Sequence, residues 1–123
     1  MKSETQKVNA QAQNAPGNVG QIGPRELAKR LTQPDTPLLL DVREPGEWQF
    51  CHITGALHLP MDQLAKRWDE LDRDREMIVY CHHGVRSQLA AKFLSEQGFK
   101  RVHNLVGGID AWSIEVDPNM PRY

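Results

Sequence analysis

The chain has 123 residues, enough for one compact domain with a real core and little beyond it. Fifteen Lys and Arg stand against 16 Asp and Glu, a net charge of -1, so no molecule-wide field favours nucleic acid or an anionic membrane. Two cysteines, Cys51 and Cys81, are too few for a disulfide-stapled scaffold or a cysteine-based zinc site, and no apolar run suits a signal peptide or membrane span. The chain reads as a soluble, cytoplasmic protein.

Residues 1–20 are rich in Gln, Asn, Ala and Ser and too polar to repay the entropy of ordering, which predicts a disordered tail ahead of a single domain over 21–123. Pro24 suits a first helical position, and Leu27, Ala28 and Leu31 recur at helical spacing before Pro34. Leu38 to Val42 is an apolar run interrupted only by Asp41, the pattern of a strand buried on both faces. A turn and short helix follow at Glu44-Pro45-Gly46-Glu47-Trp48, then a brief strand over Leu57 to Leu59. Leu64, Trp68 and Leu71 predict one amphipathic helix over Met61 to Leu71, and Met77 to Tyr80 the next buried strand. Val85 to Gln97 reads as a helix with Leu89, Ala90, Phe93 and Leu94 inward and Gly98 as its stop; Val102 to Leu105 is another strand, and Gly107 to Trp112 a last short helix. Alternating strands and helices predict an α/β fold, an open, mainly parallel sheet with helices on both faces.

The segment Val79-Tyr80-Cys81-His82-His83-Gly84-Val85-Arg86-Ser87 carries the chemistry. A buried strand stops at Cys81 and a helix starts soon after it, at the sheet edge where ligands bind in open α/β folds. The helix offers free N–H groups and the positive end of its dipole, an anion cradle that also favours a thiolate. Cys81 is therefore a candidate nucleophile. Arg86 can add a forked donor for an oxyanion, Gly84 lets amides approach closely, and His82, His83 and Val85 complete the candidate substrate-binding loop. The plainer alternative is a cysteine that only fills core space.

Four pieces, Leu40-Asp41-Val42-Arg43-Glu44, His52-Ile53-Thr54-Gly55-Ala56, Cys81 to Arg86 and Gly107 to Trp112, occur in the order of the single-domain members of the rhodanese family of sulfurtransferases, which the chain resembles from Ile22 to Trp112. The resemblance implies a rhodanese-like fold and a reaction without cofactor. In it Cys81 takes the outer sulfur of thiosulfate, or of a similar small anionic donor, as a persulfide and passes it to cyanide, a thiol or a protein acceptor. Four residues separate Cys81 from Arg86, one fewer than in the family's phosphatase relatives. A cysteine phosphatase or arsenate reductase and a non-catalytic rhodanese module that binds partners stay open as alternatives, as do monomer and homodimer.

Asp41 and Arg43 end the first long strand and are expected to border the loop, Asp41 bracing it through its amides or Arg86, and Arg43 adding positive potential; the plainer alternative is a surface ion pair. Adjacent histidines rarely ligate one ion together, so His82 and His83 are read as loop-shaping residues and no metal is expected. His52 is expected to bond a buried group and Gly55 to permit a tight turn. Cys51 leaves open a resolving role towards Cys81.

Overall fold

A computed structural model describes residues 17–123. Its five strands are β1 (Gly20–Ile22), β2 (Leu38–Asp41), β3 (Leu57–His58), β4 (Met77–Tyr80) and β5 (Val102–Leu105). The helices are α1 (Pro24–Arg30), α2 (Pro45–Phe50), α3 (Met61–Arg67), a 3₁₀ turn over Trp68–Glu70, α4 (Val85–Glu96) and α5 (Gly108–Glu115). Every strand pairing is parallel, in the order β1-β5-β4-β2-β3.

The apolar runs form these strands because both sheet faces are covered. Met77 and Val79 of β4, Leu40 of β2 and Val102 of β5 pack on Leu64 of α3 and on Ala90, Ala91 and Leu94 of α4. The alternate residues Ile78, Tyr80, Leu39, Ile22 and Leu105 pack on Leu27 of α1 and on Ile109 and Trp112 of α5. In register, Leu38 faces Met77 and Asp41 faces Tyr80, so β2 and β4 end level and the segments after Asp41 and Tyr80 leave the sheet side by side.

The elements differ from the sequence pattern in four places. A three-residue edge strand at Gly20–Ile22 precedes α1, pairs with β5 and begins at the last residue given to the tail; residues 1–16 of that tail lie outside the described residues. The amphipathic stretch after Pro60 divides into α3 and the 3₁₀ turn. The last helix runs on to Glu115. In α4 the inward stripe is Ser87, Ala90, Ala91 and Leu94, spaced 3, 1 and 3 apart, while Leu89 is 61% exposed. Small residues on that stripe let the helix sit close to the loop after β4. No helix among the described residues is long and apolar enough to cross a membrane.

Candidate active site

Tyr80, the last residue of β4, is fully buried, and Cys81 follows it at 1% exposure. Between Cys81 and α4 the chain turns through Gly84, whose φ of 105° is open to glycine at little cost. This turn folds the start of α4 back over the sulfur. Sγ of Cys81 accepts from the amide of Gly84 at 3.2 Å, the amide of Ser87 at 3.3 Å and the hydroxyl of Ser87 at 3.3 Å. Three donors converging on one sulfur at a helix N-terminus make a place for negative charge.

The polar wall continues behind the sulfur. Ser87 Oγ lies 2.5 Å from Asn104 Oδ1, and Asn104 Nδ2 donates to the Gly84 carbonyl at 3.2 Å and to Gln21 Oε1 at 3.3 Å. The single Ser87 proton serves either Asn104 or the sulfur, and a charged sulfur is the stronger acceptor. From the other side α5 ties the loop down: the amides of Ile109 and Asp110 donate to the carbonyls of Cys81 at 2.9 Å and His82 at 3.0 Å. The approach is so close that a Cβ on Gly108 would lie 2.4 Å from the His82 oxygen and 2.5 Å from the Cys81 oxygen.

The structure places Cys81, His82, His83 and Gly84 in the turn between β4 and α4 and Arg86 on the first turn of α4, and it changes several expected partnerships. Arg86 is clasped by Glu47, NH1 to Oε1 at 2.7 Å and NH2 to Oε2 at 3.0 Å. Those bonds, assisted by the Tyr123 hydroxyl and the Glu44 amide, hold the Glu47 carboxyl down at about 2 despite partial burial, and Glu47 in turn raises Arg86. Asp41 does not brace the loop. Its carboxylate faces Arg43, accepting from the backbone amide at 2.9 Å and from the guanidinium at 2.7 to 3.1 Å, with both side chains fully buried. A buried, neutralised guanidinium adds no field at the mouth, so Arg43 ties segments together instead, donating to the Cys51 carbonyl at 2.6 Å and to the Tyr123 hydroxyl at 2.8 Å. Val85 is 72% exposed, so its side chain stands away from the sulfur.

His82 stacks on His83, 3.9 Å away by ring centroids, and on Tyr123, 3.8 Å away and nearly parallel to it. Burial and the neighbouring His83 lower its pKa. His82, His83 and Asp110 bring ligand-type atoms within 4.8 Å of one another. Yet imidazole lone pairs lie in the ring planes, and two stacked rings aim them side by side instead of at one point; Asp110 is also held by Arg122 at 2.9 Å. This arrangement does not suit an ion. His52 bonds the exposed Trp48 carbonyl at 2.9 Å and stacks on its indole at 3.7 Å, so it closes the end of α2 and does not serve a buried group. Both cysteines are free; Cys51 packs against the core on the face opposite Cys81, so nothing in the packing pairs them.

Four residues in this network had no role in the sequence reading. Ser87 and Glu47 stand inside segments that already stood out, and Asn104 is a polar residue in a buried apolar strand, which was a usable signal. Tyr123, far from any motif, gave none.

A cysteine at the carboxyl end of a central parallel strand, its sulfur bonded by two amides and a hydroxyl of the segment that follows, defines an α/β protein with a cysteine-centred loop. The rhodanese-like domain model matches residues 23–115, and the chain belongs to that family. It is 41% identical over 95 residues to a sulfurtransferase of Allochromatium vinosum, a match spanning 77% of this chain and 89% of that protein. It is also 41% identical over 75 residues to the thiosulfate sulfurtransferase GlpE of Coxiella burnetii, across 61% of this chain and 70% of that one. The crystal structure of a rhodanese-related protein from Thermoplasma volcanium superposes with a TM-score of 0.71 at 32% identity, covering 83% of this chain and 95% of the other.

Proposed function

We propose that the chain is a sulfurtransferase that takes a sulfane sulfur from thiosulfate, or a similar small anionic donor, onto Cys81 and hands it to a thiol, a protein acceptor or cyanide. The Cys81 thiolate attacks the outer sulfur; a new S–S bond forms, the donor's S–S bond breaks, and sulfite leaves with the electron pair. The charge on the terminal sulfur of the persulfide then rests near the amides of the loop. An acceptor nucleophile attacks that terminal sulfur, and Cys81 regains its electron pair as thiolate. Neither step needs a metal, a redox cofactor or a general base once the thiol is ionised.

The convergence of three donors on Sγ of Cys81 carries this reading. Loop length supports it over phosphate chemistry, because only four residues separate Cys81 from Arg86. The intact nucleophile supports it over a binding module. Arg86 is the group offered to the donor's sulfonate oxygens.

The test is intact-protein mass spectrometry after thiosulfate treatment, beside Cys81→Ser, with thiocyanate release measured on adding cyanide. A gain of one sulfur, absent in Cys81→Ser and discharged by cyanide, is the expected result. A folded protein with reduced Cys81 that gains none excludes thiosulfate as donor.

A further inference from the structure

Resting on the sulfur-transfer reading above, we propose that Tyr123 is a positioning residue that acts through Glu47 to fix Arg86 for the anionic end of the donor. Arg86 is a long side chain, 37% exposed, on the first turn of α4. Left to itself such a side chain samples many rotamers, and each binding event must fix one of them. Glu47 does this fixing in advance. All four acceptor positions of its carboxylate are filled: Oε1 takes Arg86 NH1 at 2.7 Å and the Glu44 amide at 3.0 Å, and Oε2 takes Arg86 NH2 at 3.0 Å and the Tyr123 hydroxyl at 2.6 Å. Two N–H groups of the Arg86 fork are thereby engaged, and the rest of its five donors lie outside the pair for an incoming oxyanion.

Tyr123 is the link between this clasp and the core. Its hydroxyl donates to Glu47 and accepts from Arg43 NH1 at 2.8 Å, while Arg43 is locked to Asp41 at the end of β2. The result is a continuous chain, Asp41, Arg43, Tyr123, Glu47, Arg86, that runs from a fully buried ion pair to the rim of the catalytic loop. Burial and the adjacent Glu47 carboxylate push the phenol up to about 12, so it keeps the proton it donates. The ring is held as well, stacked 3.8 Å from His82 and edge-on to Phe50 at 5.6 Å. One residue earlier, Arg122 binds Asp110, whose amide bonds the His82 carbonyl. The segment is therefore fixed to the loop at two points, and Tyr123→Phe removes the hydroxyl without removing the ring.

Thiosulfate affinity is measured first in a Cys81→Ser background, where binding occurs without turnover, by NMR titration of the intact chain, with sulfite titrated in parallel. Adding Tyr123→Phe, or Glu47→Gln, is expected to weaken binding roughly three- to tenfold, the scale of one freed, rotamer-rich side chain. With Cys81 present, KM for thiosulfate is expected to rise by the same factor while kcat and the discharge of preloaded persulfide by an uncharged tertiary phosphine, which leaves as the phosphine sulfide, change less than twofold. Unchanged or tighter thiosulfate binding in Tyr123→Phe overturns the proposal, as do equal losses in both half-reactions, which mark a structural role. If thiosulfate does not bind Cys81→Ser but sulfite does, the donor reading fails and the Tyr123 inference is decided on sulfite. If neither binds, both fall.

Discussion

Replacing Gly108 by alanine tests whether α5 holds the catalytic loop as the geometry requires. The added Cβ would sit 2.4 Å from the His82 carbonyl oxygen, 2.5 Å from the Cys81 oxygen and 2.5 Å from the His82 carbonyl carbon, on a backbone with φ of 62°. An ordinary contact needs about 3.4 Å or more, so the first turn of α5 and the loop must part by roughly 1 Å. That movement loosens two bonds, Ile109 N–H to the Cys81 carbonyl and Asp110 N–H to the His82 carbonyl, worth about 1 kcal/mol each. The left-handed backbone adds about 1–2 kcal/mol for a residue with a Cβ. Together the loss is about 3–4 kcal/mol, which in a domain of this size lowers Tm by about 15–25 °C. A misplacement on that scale also lowers the rate of sulfur loading on Cys81 by about 100-fold. Thermal unfolding and single-turnover loading from thiosulfate measure the two effects. Gly46→Ala in α2 is the control, since its Cβ meets nothing within 4 Å; there alanine favours the helix and stability holds or rises by about 0.5–1 kcal/mol. A Gly108→Ala protein with Tm within a few degrees of the parent and full loading would refute the claim that this contact shapes the loop.

Two further predictions concern the buried charges. Arg43→Met leaves Asp41 without its partner in a site of zero exposure and is expected to destabilise the fold by about 3–5 kcal/mol in urea denaturation; a change under about 1 kcal/mol would show the pair to be incidental. Burial pushes the Glu76 carboxyl up, yet His103 at 3.0 Å and the bidentate Arg30 outweigh it and hold the group down at about 2, below its ordinary 4.5. A depressed folded-state value stabilises above the unfolded value, so this contribution, about 3 kcal/mol, is fully present above pH 4.5 and lost as the pH falls towards 2. Glu47 is lowered to about 2 as well and acts in the same window with the same sign. Acid titration of the urea midpoint is expected to fall steeply over that interval, and Glu76→Gln to flatten it; an equally steep fall in the variant would place the acid sensitivity elsewhere.

The sequence by itself determined the sheet and the place of the candidate nucleophile. Runs such as Met77 to Tyr80 can be satisfied only by cover on both faces, which requires parallel strands and crossover helices, and the succession strand, Cys81, Gly84, helix leaves the sulfur one place to go. Those signals are local, fixed by residues within a few positions of one another. The partners of the charged groups were a different matter. Asp41 lies two residues from Arg43, but a side chain's neighbours at the end of a strand depend on what the adjacent strand and the returning chain bring there. Glu47 reaches Arg86 across 39 residues, and Tyr123 reaches Arg43 across 80 and Glu47 across 76. An arginine near several carboxylates has no preferred partner in one dimension, because burial and approach geometry set the energy of each pairing. Only the parallel register that ends β2 level with β4, together with the return of residues 117–123 over the loop, decided that Asp41 closes on Arg43, that Glu47 holds Arg86, and that Tyr123 joins the two pairs.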